Sequence, residues 1–151
     1  MRSPLGTTNR FASDHRGIAT VELAMVLLLL TTLLAGMVEL GIGMWMQNQV
    51  GNSARAGAAY AAAHGFNSTA IQTAANRATS LGSVATTVTQ SCGCPGTNTI
   101  TTATCGGTCA SGATVGTYVK VLSTANYIPM VTAPGLVPSY VLSASTITRI
   151  N

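Results

Sequence analysis

The chain has 151 residues, of which only 7% are charged, with a formal net charge of +4 and a pI near 9.2. An ordinary soluble domain carries roughly 25% charged residues. Beyond residue 39 there is no acid at all, and the only bases there are Arg55, Arg77, Lys120 and Arg149. Four scattered bases form neither a patch nor a stripe and have no interleaved aromatics, which argues against a nucleic-acid footprint. With one histidine, His64, and no carboxylate in the same region, neither a Ser-His-Asp nor a Cys-His-Asp set nor a carboxylate pair can be assembled. No glycine loop for phosphate is present. Composition therefore points away from an enzyme and away from a small-molecule substrate, and it implies no cofactor.

Residues 1–17 are polar and basic, with Pro4, Gly6 and no periodicity, and read as a disordered leader. From Ile18 to Met46 the sequence is IATVELAMVLLLLTTLLAGMVELGIGMWM. The 16 residues between Glu22 and Glu39 span roughly 24 Å as a helix, close to the hydrocarbon thickness of about 30 Å. Both acids then lie near the interfaces, where a charge costs far less than the 2.5–3.5 kcal/mol or so expected at the centre. Trp45 suits the far interface. Arg2, Arg10 and Arg16 precede the segment, which places the N-terminus in the cytoplasm and the rest outside, with a single crossing of the cytoplasmic membrane. A cleaved secretory signal fits less well. The nearest small-x-small triplet, Ala54-Arg55-Ala56, lies far beyond the apolar run.

The helix has no reason to stop at Met46. The following stretch to His64 is Ala-rich without proline, and His64-Gly65 has the form of a helix end. Ser53, Gly57, Ala61 and Gly65 form a stripe of small side chains that permits close backbone approach. Packing against the chain's own sheet is the plainer use of that stripe, with an intermolecular seam as the alternative. A second helix is expected over NSTAIQTAANRATSLG, capped by Asn67 or Ser68, with Ile71, Ala74, Ala78 and Leu81 on one face and Gly82 as its end. Three β-branched stretches follow: SVATTVTQ, ATVGTYVKVLST and SYVLSASTITRI. In the second, Val115, Thr117, Val119 and Val121 share one face, and Tyr118 and Lys120 the other. Pro129, Pro134, Gly135 and Pro138 break the chain before the last. The expected fold is α+β: a long N-terminal transmembrane helix, then a small extracytoplasmic head with a short helix and an antiparallel β-sheet. The expected division is a leader at 1–17, a membrane span at 18–46 with the helix running on to about 64, and a head at 47–151.

Cys92, Cys94, Cys105 and Cys109 all fall in the external part, where disulfides persist. C-x-C followed by C-x-x-x-C is not the usual spacing of a zinc site. Three pairings are possible. A Cys92–Cys94 bond would close a strained ring, so two bridges across the loop between Gln90 and Ala110 are expected, stapling a hairpin that has little apolar material.

A basic residue, then Gly17, then Glu22 inside the start of an apolar helix resembles the substrates of prepilin peptidase, which are cut after the glycine on the cytoplasmic face. The resemblance makes Gly17 and Ile18 the processing site, Ile18 the first mature residue and Glu22 the carboxylate that fixes a subunit's position in an assembly. The chemistry is coherent, because an α-ammonium on a neighbouring subunit is a natural partner for a carboxylate in low dielectric. More specifically, RGIATVELAMVLLLLTTLLAGMVELG is similar to the N-terminal segment of TadE-like proteins, pseudopilins of tight-adherence (Tad) pilus systems. The tail from Tyr118 to Ile150, with its V-x-V strand, Tyr/Pro turn and final strand closing on Arg149, resembles the ending of that family. Leu23 stands where such proteins often carry an aromatic residue. The resemblance implies a minor pilin-like component of a Tad pilus and secretion apparatus, with a role in adherence. Its implied partners are the membrane, other pilin-like subunits, the Tad assembly platform and prepilin peptidase. A type II secretion pseudopilin fits less well for want of an aromatic start. The alternative is an unprocessed single-pass envelope protein whose stapled head binds a ligand or surface.

Overall fold

A computed structural model describes residues 16–96, 99–130 and 138–150. The expected leader as far as residue 15, including Arg2 and Arg10, and the turn residues Pro134 and Gly135 lie outside these. The first helix, α1, runs over Arg16–His64, and its surface character changes once. From Gly17 to Val38 every residue is exposed, although the side chains are overwhelmingly apolar. Thr31 and Thr32 turn their hydroxyls back onto the carbonyls of Leu28 (3.0 Å) and Leu29 (2.8 Å). Each hydroxyl proton is thereby satisfied within the helix, as a lipid surround requires. Among the described residues this is the one helix long and apolar enough to cross a membrane.

From Glu39 onward burial recurs at helical spacing: Gly43, Val50, Ser53, Ala54, Gly57, Ala58 and Ala61 are buried, with Ile42 and Met46 partly so. Compact packing begins at the same residue, since the chain divides into units Met1–Val38 and Glu39–Asn151. The helix closes where the sequence indicates. Gly65 adopts φ +78, a left-handed cap that costs glycine nothing, and its N–H donates to the Ala61 carbonyl at 2.9 Å. The His64 ring stacks on Tyr60 with centroids 4.4 Å apart.

Helix α2 spans Ser68–Arg77, capped by Asn67 Oδ1, which accepts from the Ala70 N–H at 3.1 Å. It stops short of the expected Gly82. Ala78 N–H bonds the Ala75 carbonyl, three residues back, and the Thr79 hydroxyl takes the Leu81 N–H at 3.1 Å. Side-chain oxygens thus compete for the backbone just where helical bonds would continue. Within the helix the buried residues are Ile71 and Ala75, one turn apart; of the expected face, Ala78 is exposed and Ala74 half-buried, while Leu81, beyond the helix end, packs against the sheet.

Four strands follow: β1 Ala85–Pro95, β2 Ile100–Thr102, β3 Gly116–Tyr127 and β4 Tyr140–Arg149. They form one antiparallel sheet in the order β2-β1-β3-β4. The face expected in the second β-branched stretch holds from Val119: Val119 and Val121 are buried, continued by buried Ser123, Ala125 and Tyr127, whereas Thr117 is half-buried and Val115 precedes the strand. Tyr118 lies on the opposite face yet is also buried, opposite Arg149 in register. The Arg149 side chain lies so close over Gly116 that a Cβ there would meet its Nε at 2.8 Å. A long guanidinium stem covers an aromatic ring well, which an alternation pattern alone does not reveal.

The small-residue stripe of α1 packs on the chain's own sheet. One core cluster joins Ala58 and Ala61 to Ile71, Val119 and Val121. The other joins Val50 to Ala125, Tyr127 and Leu142. Between them, Ser53 and Ser123 meet at 3.1 Å with both residues fully buried, so each hydroxyl is paired rather than stranded.

Candidate functional site

The structure sets the residues singled out by sequence in three places. Gly17, Ile18 and Glu22 occupy the first turns of α1 and line a shallow depression with Val21 and Met25. All five are exposed. The Thr20 hydroxyl donates to the Gly17 carbonyl at 2.8 Å. Open space surrounds the position of a Cβ on Gly17. Glu22 lies on the exposed surface of the same stretch, one turn of helix beyond Ile18.

The second place is the foot of the head, at Glu39. Its half-buried carboxylate accepts a short hydrogen bond from the Tyr127 hydroxyl, and the Met130 N–H donates to the same oxygen, Oε1, at 3.1 Å. The Tyr127 hydroxyl also lies 3.2 Å from the Glu39 carbonyl. Tyr127 is itself buried and packs against Tyr140 with centroids 5.1 Å apart. The bond to Glu39, together with desolvation, pushes the Tyr127 phenol up to about 12, because ionising it would put two anions on one hydrogen bond. Sequence reasoning treated Glu39 as an interfacial acid without a partner. The missing signal was 88 residues away: Tyr127 ends a strand, and the packing of α1 on β3 brings it to Glu39.

The third is the stapled hairpin. Cys92 bonds Cys105 and Cys94 bonds Cys109, two bridges across the expected loop, and no described cysteine is free. Both β1 cysteines flank Gly93. A Cβ on Gly93 would lie 2.5 Å from Ile100 Cγ2 and 2.7 Å from the Thr101 carbonyl oxygen, so the CGC spacing is required by the close approach of β2. The hairpin β1–β2 pairs only from Gly93 to Pro95, too short to be stable alone; the bridges hold its far side. Among the described residues no group of three His, Cys, Asp or Glu side chains is placed to hold a metal.

Compared with known proteins, residues 17–59 match the family model described as TadE-like protein. The similarity runs from the Gly17–Ile18 bond through the apolar run to the part of α1 seated on the sheet. No curated protein and no solved structure matches the chain.

Proposed function

We propose that this TadE-like chain, a Tad pilus-associated protein, works as a minor pilin-like subunit of the pilus assembly and secretion apparatus. In this reading it is anchored by residues 18–46, with residues 1–17 as a cytoplasmic leader and 47–151 as an extracytoplasmic head. The observation that carries the reading is the coincidence of the TadE-like match with one segment of α1. The match begins at Gly17, spans the exposed apolar turns and ends within the stripe that seats the helix on its head. An assembly subunit needs a helix that lies in lipid or against other helices and a head carried on the same chain, and cleavage after Gly17 would free that helix of its leader.

Prepilin peptidase cuts between Gly17 and Ile18 in this account, and the new α-ammonium of a neighbouring subunit pairs with Glu22. The two bridges favour an oxidising location for the head. The test is Glu22→Gln, read as surface pili at matched membrane levels of the protein. Insertion is unimpaired, because removing a charge lowers its cost. Assembly falls sharply, since stranding one partner of a pair in low dielectric costs about 3–5 kcal/mol. Normal piliation in Glu22→Gln would leave the carboxylate without an assembly role and favour the unprocessed anchor with a ligand-binding head.

A further inference from the structure

The foot of the head carries large apolar side chains that the fold leaves uncovered. Ile128 is 72% exposed, Met130 77% and Val141 62%, with Tyr140 beside them at 44%. They are gathered by register, since Asn126 faces Val141 and Tyr127 faces Tyr140, and by the bond from Met130 N–H to Glu39. On α1, Leu40, Met44 and Trp45 are likewise at least half exposed, and Leu40 directly follows the apolar run in the chain.

We infer that this foot is a lipid-binding collar that sits in the interfacial layer of the membrane the helix crosses. The inference rests on the reading of residues 18–38 as membrane-spanning. Three observations select lipid as the occupant. First, Glu39 marks the residue at which the fully exposed apolar helix gives way to the head, and Met130 is hydrogen-bonded to that very residue. A helix that leaves lipid near Glu39 brings Ile128, Met130 and Val141 to the depth of the headgroup boundary. Second, the composition is that of an interfacial belt, with Trp45 and Tyr140 accompanying aliphatic side chains.

Third, the bases of β3, β4 and α1 are segregated from the foot. Lys120 lies seven residues up β3 from Tyr127, about 23 Å, and Arg149, opposite Tyr118, about 30 Å. Arg55 is 16 residues beyond Glu39, about 24 Å along the helix. The one acid at the foot already has a phenol and an N–H directed at its carboxylate, which supplies donors that water would otherwise provide. A foot meant for an aqueous setting has no need of this arrangement.

The chain's single tryptophan, Trp45, makes the test direct. The full chain is reconstituted, with its bridges intact, in phosphatidylcholine vesicles containing lipids brominated at shallow or deep acyl positions. In a Trp45→Phe background, tryptophan is then placed singly by Met130→Trp, Ile147→Trp or Leu30→Trp. Unchanged non-reducing mobility checks that each variant keeps its bridges. The expected result is that the Met130→Trp probe is quenched by shallow bromines and is several-fold less accessible to aqueous acrylamide than the Ile147→Trp probe, which stands far up the sheet. Equal acrylamide access at both positions overturns the collar. So does a Met130→Trp probe shielded from both quenchers, which would mean that another protein chain covers the foot. The Leu30→Trp probe separates the premises: strong quenching by deep bromines there, with a water-exposed Met130→Trp probe, refutes the collar alone. No quenching at Leu30→Trp refutes the membrane-spanning reading itself.

Discussion

Gly57 offers a sharp test of how α1 is seated on its head. A Cβ at this position would lie 3.0 Å from Val121 Cγ1, 3.2 Å from Ala75 Cβ and 3.4 Å from Ile71 Cγ2, contacts on β3 and α2 at once. Val121 is fully buried and β-branched, and Ala75 has no rotamer to change, so relief must come from the backbone. Gly57→Ala gains about 1 kcal/mol of helix propensity and loses about 1–3 kcal/mol to overpacking. The net is a loss of about 1 kcal/mol, and Gly57→Val, which adds two methyl groups at the same point, loses more. Gly51 in the same helix has nothing within 4 Å of its would-be Cβ, so Gly51→Ala keeps the propensity gain of about 1 kcal/mol. Thermal unfolding of the full chain in micelles, followed by near-UV circular dichroism, reads the two with opposite signs, each shift about 4 °C. Equal stabilisation by both alanines would show that the helix is not in close contact with the sheet at Gly57.

Three further expectations follow from the foot, the hairpin and the two glutamates. Spectrophotometric titration should find one tyrosine ionising near pH 12, and Tyr127→Phe should abolish that step. Because the folded phenol ionises later than an unfolded one at about 10, its stabilising contribution is whole below pH 10 and is lost as pH rises through 12; a head whose alkaline stability is unchanged by Tyr127→Phe contradicts this. Non-reducing peptide mapping should recover Cys92 with Cys105 and Cys94 with Cys109, and alkylation before reduction should label none of the four; each bridge closes a loop of similar length, contributing about 3 kcal/mol. Glu39→Gln should retain a hydrogen-bonded foot but weaken it, so its defect should appear in thermal stability of the head, whereas that of Glu22→Gln should appear in piliation alone; the reverse pattern would exchange the roles assigned to the two acids.

The helix, both cysteine pairs' location and the sheet were legible because each rests on a local signal. The apolar run, the His64-Gly65 end and the Asn67 cap are written in adjacent residues, and Val119 and Val121 alternate as a half-buried strand must. What the sequence concealed depends on pairing and packing between elements. Ala75 joins Ile71 as a buried residue of α2 because it meets Gly57 of α1, whose Cβ position is 3.2 Å from it, a partner that helix α2 alone does not reveal. Strand β1 continues past Gln90 because Ser91, Cys92 and Gly93 still pair with β3, and Gly93 to Pro95 then pair with β2. The partner of Glu39 could not be found from Glu39, since Tyr127 lies 88 residues away and meets it where α1 packs on β3. Gly17, Ile18 and Glu22 are a different case: their meaning came from resemblance, and the geometry contributes only that they are exposed at a helix start.

The central claim, a processed pilin-like subunit, is tested most directly by the mass of its N-terminal peptide. The protein should be purified from cells that contain an active prepilin peptidase and from matched cells that lack it. The account predicts a chain beginning at Ile18 in the first and one retaining residues before Gly17 in the second. A chain that keeps those residues in both would contradict it and leave a membrane anchor that never enters an assembly.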